Sequence, residues 1–230
     1  MRKLLFLAFA CVCFSLFSTA QNQQKFTLGI KAGGTLNKFY GEKYDGKKLD
    51  QEHFIGGINI NINAEIALSR SFYLQPGIGF TTKGTKNDYP AFDIETTQTN
   101  LNYFELPLNF IYKLRLGKGK VIFGAGGYFA YAAGGKYKED PDVYQVPKKI
   151  VFKKYVKITD PRRTYFKRTD AGLNVLAGYS LSSALSMQFD AQFGMADILP
   201  DFENSLSSNT KYKNLSLGVS LGYRFHCRKK

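Results

Sequence analysis

Catalysis needs residue types that suit each other and a spacing that brings them together, and this chain offers little of either. Its 230 residues include two histidines, His53 and His226, which fall at opposite ends of the predicted molecule. A surface acyltransferase or protease could pair His53 with a loop aspartate or serine, but no spacing fixes such a pair. We find no metal-ligand spacing, phosphate-binding loop or dinucleotide-binding motif. The sequence therefore predicts a protein that is not an enzyme and has no metal site and no cofactor.

Charged residues at alternating positions form the second candidate group. They share the polar faces of segments that resemble strands, which predicts a charge network inside a barrel. Because basic and acidic side chains balance, and an eight-stranded barrel is barely wide enough for its own side chains, a structural plug is favoured over an ion path. The predicted lumen residues are Lys31, Glu65, Lys83, Glu105, Lys113, Asp170, Asp190 and Arg224.

A basic segment within residues 134–168 is the third candidate. Basic residues mixed with aromatics are typical of single-stranded nucleic-acid binding, but on an extracellular loop lipopolysaccharide phosphates or a protein partner fit better than nucleic acid. A merely solvated loop is the alternative. Residues 150–152 and 155–158 could extend the neighbouring strands as a hairpin. The predicted contact residues are Lys148, Lys149, Lys153, Lys154, Arg162, Arg163, Lys167 and Arg168.

The elements that position these residues are strands, as residues 58–82 illustrate. From Ile58 to Leu68 every even position is apolar and nearly every odd position is polar, which predicts a strand with two unlike faces. After a short connection the alternation resumes, so two strands form a hairpin. The polar positions hold Asn, Gln, Gly and Thr, whereas the apolar positions are mostly large. A small polar interior and an apolar exterior are typical of a transmembrane β-barrel.

The same alternation predicts eight strands. Their connections alternate between long and short, which is typical of outer-membrane barrels with short periplasmic turns and long extracellular loops. We therefore predict an all-β, eight-stranded antiparallel up-and-down transmembrane barrel in the outer membrane, with both termini periplasmic. The predicted strands are residues 26–35, 58–68, 72–82, 101–114, 121–133, 170–181, 185–196 and 213–225.

Alternation alone does not say which face is outside. A soluble, lipocalin-like ligand-binding barrel would turn its apolar face inward. The small polar faces and the aromatic residues near strand ends favour the membrane barrel. Two prolines, Pro76 and Pro107, fall inside predicted strands. Since a closed barrel has no free edge for a residue without an amide donor, each proline predicts a bulge.

The N-terminus has the pattern of a secretory signal peptide. A basic start at Arg2 and Lys3 precedes a short apolar stretch and a small-residue exit, so we predict a signal peptide at residues 1–20 and a single barrel domain at residues 21–230. Cys227 would then be the one remaining cysteine, which excludes an intramolecular disulfide. The net charge of +14 suggests anionic partners. For an exported barrel these are outer-membrane lipid headgroups and lipopolysaccharide.

Several short motifs, taken in order, resemble those of a known family. Leu74-Gln75-Pro76 is followed by Lys83-Gly84 and then by the sequence LNYFELPL at residues 101–108. Residues 29–33 and 222–225 are similar to the first and last strands of the same family. Together these motifs resemble the PorT-like outer-membrane β-barrel family of Bacteroidetes over residues 25–225.

The resemblance implies an eight-stranded barrel of OmpA-like shape but no single activity. The signal peptide, the alternating segments and the unequal connection lengths predict a structural or interaction role exerted through extracellular loops, and we expect an accessory to a secretion system or to envelope assembly. The founding member is linked to type IX secretion, although no motif ties this chain to that role. The family's frequent "porin" label leaves a small-solute porin as the alternative. Residues 226–230 follow the terminal aromatic Phe225, which departs from the usual pattern.

Overall fold

Eight long strands make up most of the molecule. The computed structural model describes residues 26–89, 94–139, 147–157, 159–161, 163–181, 184–203 and 210–225. The predicted signal peptide, Arg162, His226 and Cys227 lie outside the described residues. The long strands are β1 (Phe26–Glu42), β2 (Ile55–Ala67), β3 (Phe72–Tyr89), β4 (Ile94–Leu116), β5 (Gly119–Glu139), β6 (Thr169–Ser180), β7 (Leu185–Gly194) and β8 (Lys211–Phe225).

These strands close into a ring. Each strand pairs antiparallel with the next along the chain, and β1 pairs antiparallel with β8. The predicted eight-stranded antiparallel barrel is therefore confirmed. The short connections after β2, β4 and β6 lie at one end with Phe26 and Phe225, which we call the turn end. The opposite end, with the longer connections, is the loop end.

The two faces of the wall have the predicted orientation. Large apolar side chains point outward, and Leu221 is 67% exposed, whereas Lys83 on the inner face is 1% exposed. An apolar exterior suits a hydrocarbon environment and leaves the polar side chains to pair inside the barrel. The lipocalin-like alternative required the reverse orientation and is wrong. Within the described residues, no helix is long and apolar enough to span a membrane.

Several strands run further toward the loop end than the alternation predicts. β3 continues to Tyr89 and β4 begins at Ile94, and the two strands pair through Asn87 and Thr97. The connection between the predicted strands at residues 72–82 and 101–114 is therefore mostly strand. This part of the hairpin is polar on both faces, so it lacks the contrast on which the prediction relied.

The prolines do not produce the predicted bulges. Pro76 lies opposite Leu108, and the same register holds at Gly79 opposite Glu105. The register shifts recorded for β4 lie elsewhere, near Asn87 and Asn102 of the β3–β4 and β4–β5 ladders. Between β2 and β3, individual pairs are missing beside Pro76 while the register continues. A missing amide donor thus removes local pairing without inserting a residue.

The longer connections at the loop end contain short strands that pair with other parts of the chain. Lys148–Lys149 pairs with β5, and Glu52–His53 pairs with β3. Val151–Phe152 pairs in parallel with Tyr165–Phe166, and Tyr155–Val156 pairs in parallel with Asp201–Phe202. The predicted hairpin of residues 150–152 and 155–158 is therefore wrong, because each strand has a partner from another part of the chain.

Candidate functional site

The loop half of the lumen is held by a buried charge cluster around Lys83. Its Nζ lies 3.1 Å from Oε2 of Glu105 and 3.4 Å from Oδ2 of Asp170. The same Asp170 oxygen accepts hydrogen bonds from the Tyr128 hydroxyl at 3.1 Å and from Nδ2 of Asn214 at 2.9 Å. The ammonium also lies 3.9 Å from the centre of the Tyr128 ring. These contacts link β3, β4, β5, β6 and β8 across the interior.

A second cluster fills the turn half. Nζ of Lys113 lies 2.5 Å from Oε2 of Glu65, and the Arg224 guanidinium lies 3.6 Å from that oxygen. Glu65 Oε1 accepts a hydrogen bond from Nε2 of Gln75 at 3.1 Å, and Arg224 also donates to the Ser180 hydroxyl. Because two bases surround one acid, this cluster carries the positive charge that balances the surplus acid of the Lys83 cluster.

The middle of the lumen holds the last two predicted charges. Nζ of Lys31 donates to Oε1 of Gln75 at 3.3 Å and to Oε1 of Gln188 at 3.2 Å. Lys31 and Asp190 line a cavity of about 40 Å³. Such a volume holds roughly one water molecule. All eight predicted lumen residues therefore point inward, but they form two clusters and a central region rather than one network.

Apolar side chains narrow the lumen near the turn end. Ile111, Ile122 and Leu176 form a buried cluster, and Tyr73 packs against it. Nζ of Lys113 lies 4.5 Å from the centre of the Tyr73 ring. This apolar cluster was not predicted, because isolated inward apolar residues are hard to distinguish within an alternating pattern.

A hydrophobic cap closes the loop end. Its connection residues are Ile150, Phe166 and Ile198, which pack on the inner wall. Backbone hydrogen bonds anchor them, since the Ile198 amide donates to Tyr212 and the Ile150 amide donates to Gly135. The cap rests on Phe39, Leu101, Tyr103, Tyr128, Ala130 and Ala132. Sequence reasoning missed the cap, although apolar residues inside otherwise polar connections were a usable signal.

Part of the predicted basic loop surface is built into this cap. Lys167 lies 3.0 Å from Asp201 and 3.7 Å from Asp197. The Arg168 guanidinium lies 5.0 Å from the Phe152 ring centre and donates to the Ala132 carbonyl at 3.3 Å. These two bases hold the connections in place.

The remaining loop bases are more accessible. Lys153 is paired with Asp160 at 2.7 Å, and hydrogen bonds from Lys153 and from the Lys157 amide lower the pKa of Asp160. Lys148 is exposed and keeps contacts of its own. Apart from Arg168, the predicted contact bases that are exposed and form no ion pair within the described residues are Lys149, Lys154 and Arg163.

His53, the histidine considered for catalysis, lies in a short strand at the loop end. It is exposed in the Glu52–His53 strand, where Thr85 donates to Oε2 of Glu52 at 2.6 Å. Among the described residues, no three His, Cys, Asp or Glu side chains are grouped so as to hold a metal ion. That the protein is not an enzyme stays a prediction.

Several solved bacterial barrels resemble this chain. Ail of Yersinia pestis, crystallised with the heparin analogue sucrose octasulfate, is 12% identical over 87% of this chain and 99% of its own, with a TM-score of 0.41. OprG of Pseudomonas aeruginosa is 11% identical over 90% and 99%, with a TM-score of 0.48. Neisserial surface protein A is 13% identical over 86% and 97%, with a TM-score of 0.43.

Sequence comparison identifies the family. No protein of curated function matches the chain. Residues 19–200, however, match the family model described as "outer membrane protein beta-barrel domain". This match includes seven of the eight long strands and both halves of the lumen. The chain therefore belongs to the outer membrane protein beta-barrel domain family.

Proposed function

We propose that this protein is a non-enzymatic outer-membrane barrel that works through its loop end, as an accessory to a secretion system or to envelope assembly. In this proposal it is a PorT-like member of its family, with the loop end outside the cell and both termini periplasmic. The cap carries the proposal, because its connections are folded against the barrel and present a fixed surface.

The partner we propose is an envelope protein with an acidic face. Lys149, Lys154 and Arg163 are exposed on the cap connections, and Tyr155 beside them is also exposed. Arg and aromatic side chains are enriched at protein interfaces, and exposed positive charge is complementary to an acidic partner surface. Phosphates of lipopolysaccharide remain the alternative ligand for these bases.

A pull-down from native outer membranes tests this interaction. We expect Lys149→Gln, Lys154→Gln and Arg163→Gln together to release the partner, and we expect added salt to weaken binding by the wild-type protein because exposed charges are screened. The matched control removes equal charge at the turn end through Arg70→Gln, Arg115→Gln and Lys118→Gln. If both variants recovered equal amounts of the partner, the three loop bases would not contribute to binding and the loop would be merely solvated.

Orientation has its own test. In a Cys227→Ser background, Lys154→Cys should react with a membrane-impermeant maleimide in intact cells. Lys118→Cys, at the turn end, should react only after the outer membrane is permeabilised. The reverse labelling pattern would place the termini outside and would remove the basis for an extracellular partner.

A small-solute porin is the second candidate function. The observation in its favour is the polar inner wall, which includes Asn61, Asn109 and Gln192. Against it, the charge clusters, the apolar narrowing and the cap all occupy the path that a solute would take. We therefore rank transport below interaction.

A further inference from the structure

The seam between β1 and β8 carries a sharp change from apolar to basic on its outer face. Leu36 lies opposite Leu217, and both point outward. Two positions further toward the loop end, Lys38 lies opposite Leu215. Two positions beyond that, Tyr40 lies opposite Lys213. At a rise of about 3.3 Å per residue, Leu36 and Tyr40 are separated by roughly 13 Å along the strand.

A cleft of about 370 Å³ lies on the basic side of this boundary. The connection after β1 folds back over the strand, since the Leu49 amide donates to the Gly41 carbonyl at 3.1 Å. Lys43 and Asp50, 2.7 Å apart, close the base of this fold. The Tyr40 hydroxyl donates to the Gly194 carbonyl, which holds the ring against the wall. The cleft is therefore shaped before any ligand arrives.

The cleft has a surplus of positive charge. Its lining is Tyr40, Gly41, Glu42, Lys48, Leu49, Lys211 and Lys213. Three lysines thus face one glutamate. None of these three lysines forms an ion pair with a carboxylate in the part of the chain that the structure describes. A compact anion with several oxygens, such as a phosphate, suits such a group of ammonium donors.

An apolar groove of about 770 Å³ lies on the turn-end side of the cleft, and the pair Lys38 and Leu215 lies between the two. Small residues make its floor, and larger side chains make its walls. A Cβ added to Gly34 would find its nearest neighbour, the Gly57 carbonyl oxygen, 4.0 Å away. Backbone packing therefore does not require a glycine there, and the space is left unfilled. The outward lining is Gly34, Leu36, Val175, Ala177, Phe189, Ala191, Leu217 and Val219.

We propose that the β1–β8 seam binds the lipid A part of one lipopolysaccharide molecule. An acyl chain lies in the groove, and a lipid A phosphate is bound by Lys48, Lys211 and Lys213. Joining the two subsites in one ligand explains why the apolar groove and the basic cleft share the same pair of strands. The proposal rests on the orientation proposed above, because lipopolysaccharide occupies the outer leaflet.

A second groove on the wall supplies the matched control. It has a volume of about 1070 Å³ and lies around Gly127, between Leu108 and Leu173. No three-lysine cleft adjoins it in the described structure, and Arg168 nearby is held over Tyr131 and Phe152. A Cβ on Gly127 would also meet only ordinary contact, 3.5 Å from the Gly172 carbonyl oxygen. A larger residue at either glycine should therefore be tolerated.

The test measures lipid binding by the purified full-length barrel in detergent micelles, using native mass spectrometry with lipid A, dephosphorylated lipid A and phosphatidylglycerol as probes. We expect preferential binding of lipid A. Lys48→Gln, Lys211→Gln and Lys213→Gln together should weaken it by about tenfold or more, since hydrogen bonds to charged groups are lost. Gly34→Leu should weaken it similarly, whereas Gly127→Leu should not.

Several results would overturn the proposal. Equal binding of dephosphorylated lipid A would exclude phosphate recognition, and equal binding of phosphatidylglycerol would indicate a general anionic-lipid surface. Unchanged affinity in the triple-lysine variant or in Gly34→Leu would remove the corresponding subsite. Heat-modifiable gel mobility shows that each variant is folded. Binding in micelles does not depend on orientation, so maleimide labelling of Lys154→Cys separates a failure of the proposed orientation from a failure of this site.

Discussion

At the residue scale, Lys83 has the most demanding environment in the barrel. Its ammonium is buried between the carboxylates of Glu105 and Asp170 and beside the Tyr128 ring. A charge in such a place is tolerated only because its partners and hydrogen bonds replace water. Without the lysine, two buried carboxylates would face each other with only neutral donors between them.

Replacing Lys83 should therefore be strongly destabilising. We expect Lys83→Met to lower the free energy of unfolding by about 3–5 kcal/mol, the range for breaking a buried ion pair from one side. The measurement is the urea midpoint of the heat-modifiable folded band. Adding Glu105→Gln and Asp170→Asn should recover most of the loss. Lys118→Met, at an exposed turn position, is the control and should change stability by less than about 0.5 kcal/mol.

The sequence predicted which charged residues line the lumen, but it did not predict which of them contact each other. Alternation was enough to predict that all eight charged residues point inward, because each strand keeps its alternation over the stretch that contains them. It could not pair Lys83 with Asp170, since that contact joins β3 to β6 across the ring and depends on strand stagger and tilt. Apolar residues in the connections signalled buried positions, but the sequence could not show that Ile150 and Ile198 pack against the inner wall at the loop end.

At the element scale, the strands were predicted correctly where they carry the outward apolar band. Strand ends at the turn end were predicted within a few residues. At the loop end, β3 and β4 continue as a polar hairpin, for which alternation gives no contrast between faces. The prolines show a different limit. Pro76 suggested a bulge, whereas the neighbouring ladders keep the register and only lose local pairs.

Two adjacent glycines in β1 should respond very differently to substitution. A Cβ on Gly33 would lie 2.0 Å from the Val219 carbonyl oxygen and 2.6 Å from Cα of Ser220, so β8 would have to move. We expect Gly33→Ala to destabilise the barrel by about 1–3 kcal/mol, the usual range for overpacking. Gly34→Ala is the matched control and should be nearly neutral. Urea titration of both variants in the same detergent checks this, and equal midpoints would contradict the close approach at Gly33.

At the scale of the whole molecule, the lumen is closed by several successive layers of side chains. The cap, the Lys83 cluster and the apolar cluster of Ile111, Ile122 and Leu176 follow one another along the axis. Strands β4 and β5 contribute to all three layers, but the layers consist of different residues except for Tyr128, which belongs to both the cap and the Lys83 cluster. Loss of one layer therefore leaves the others in place.

Planar-bilayer recording should accordingly show no stable conductance for the pure protein. We expect the same for Phe166→Ala combined with Ile198→Ala, because these changes thin the cap but leave the inner layers intact. An established porin reconstituted in the same bilayers serves as the positive control. A reproducible open level from the wild-type protein would favour the porin function, and one from the double variant alone would make the cap the principal barrier.

The pairing of β1 with β8 also determines when the barrel can close. These are the first and last strands of the ring, so the ring cannot close until the chain has been made through Phe225. Before that moment, β1 offers an unpaired edge to any other strand in the periplasm, which is a route to aggregation. Bringing such distant segments together is also slow compared with forming the local hairpins. Insertion into the membrane must therefore be faster than aggregation. A chain that lacks its last strand should be degraded rather than inserted.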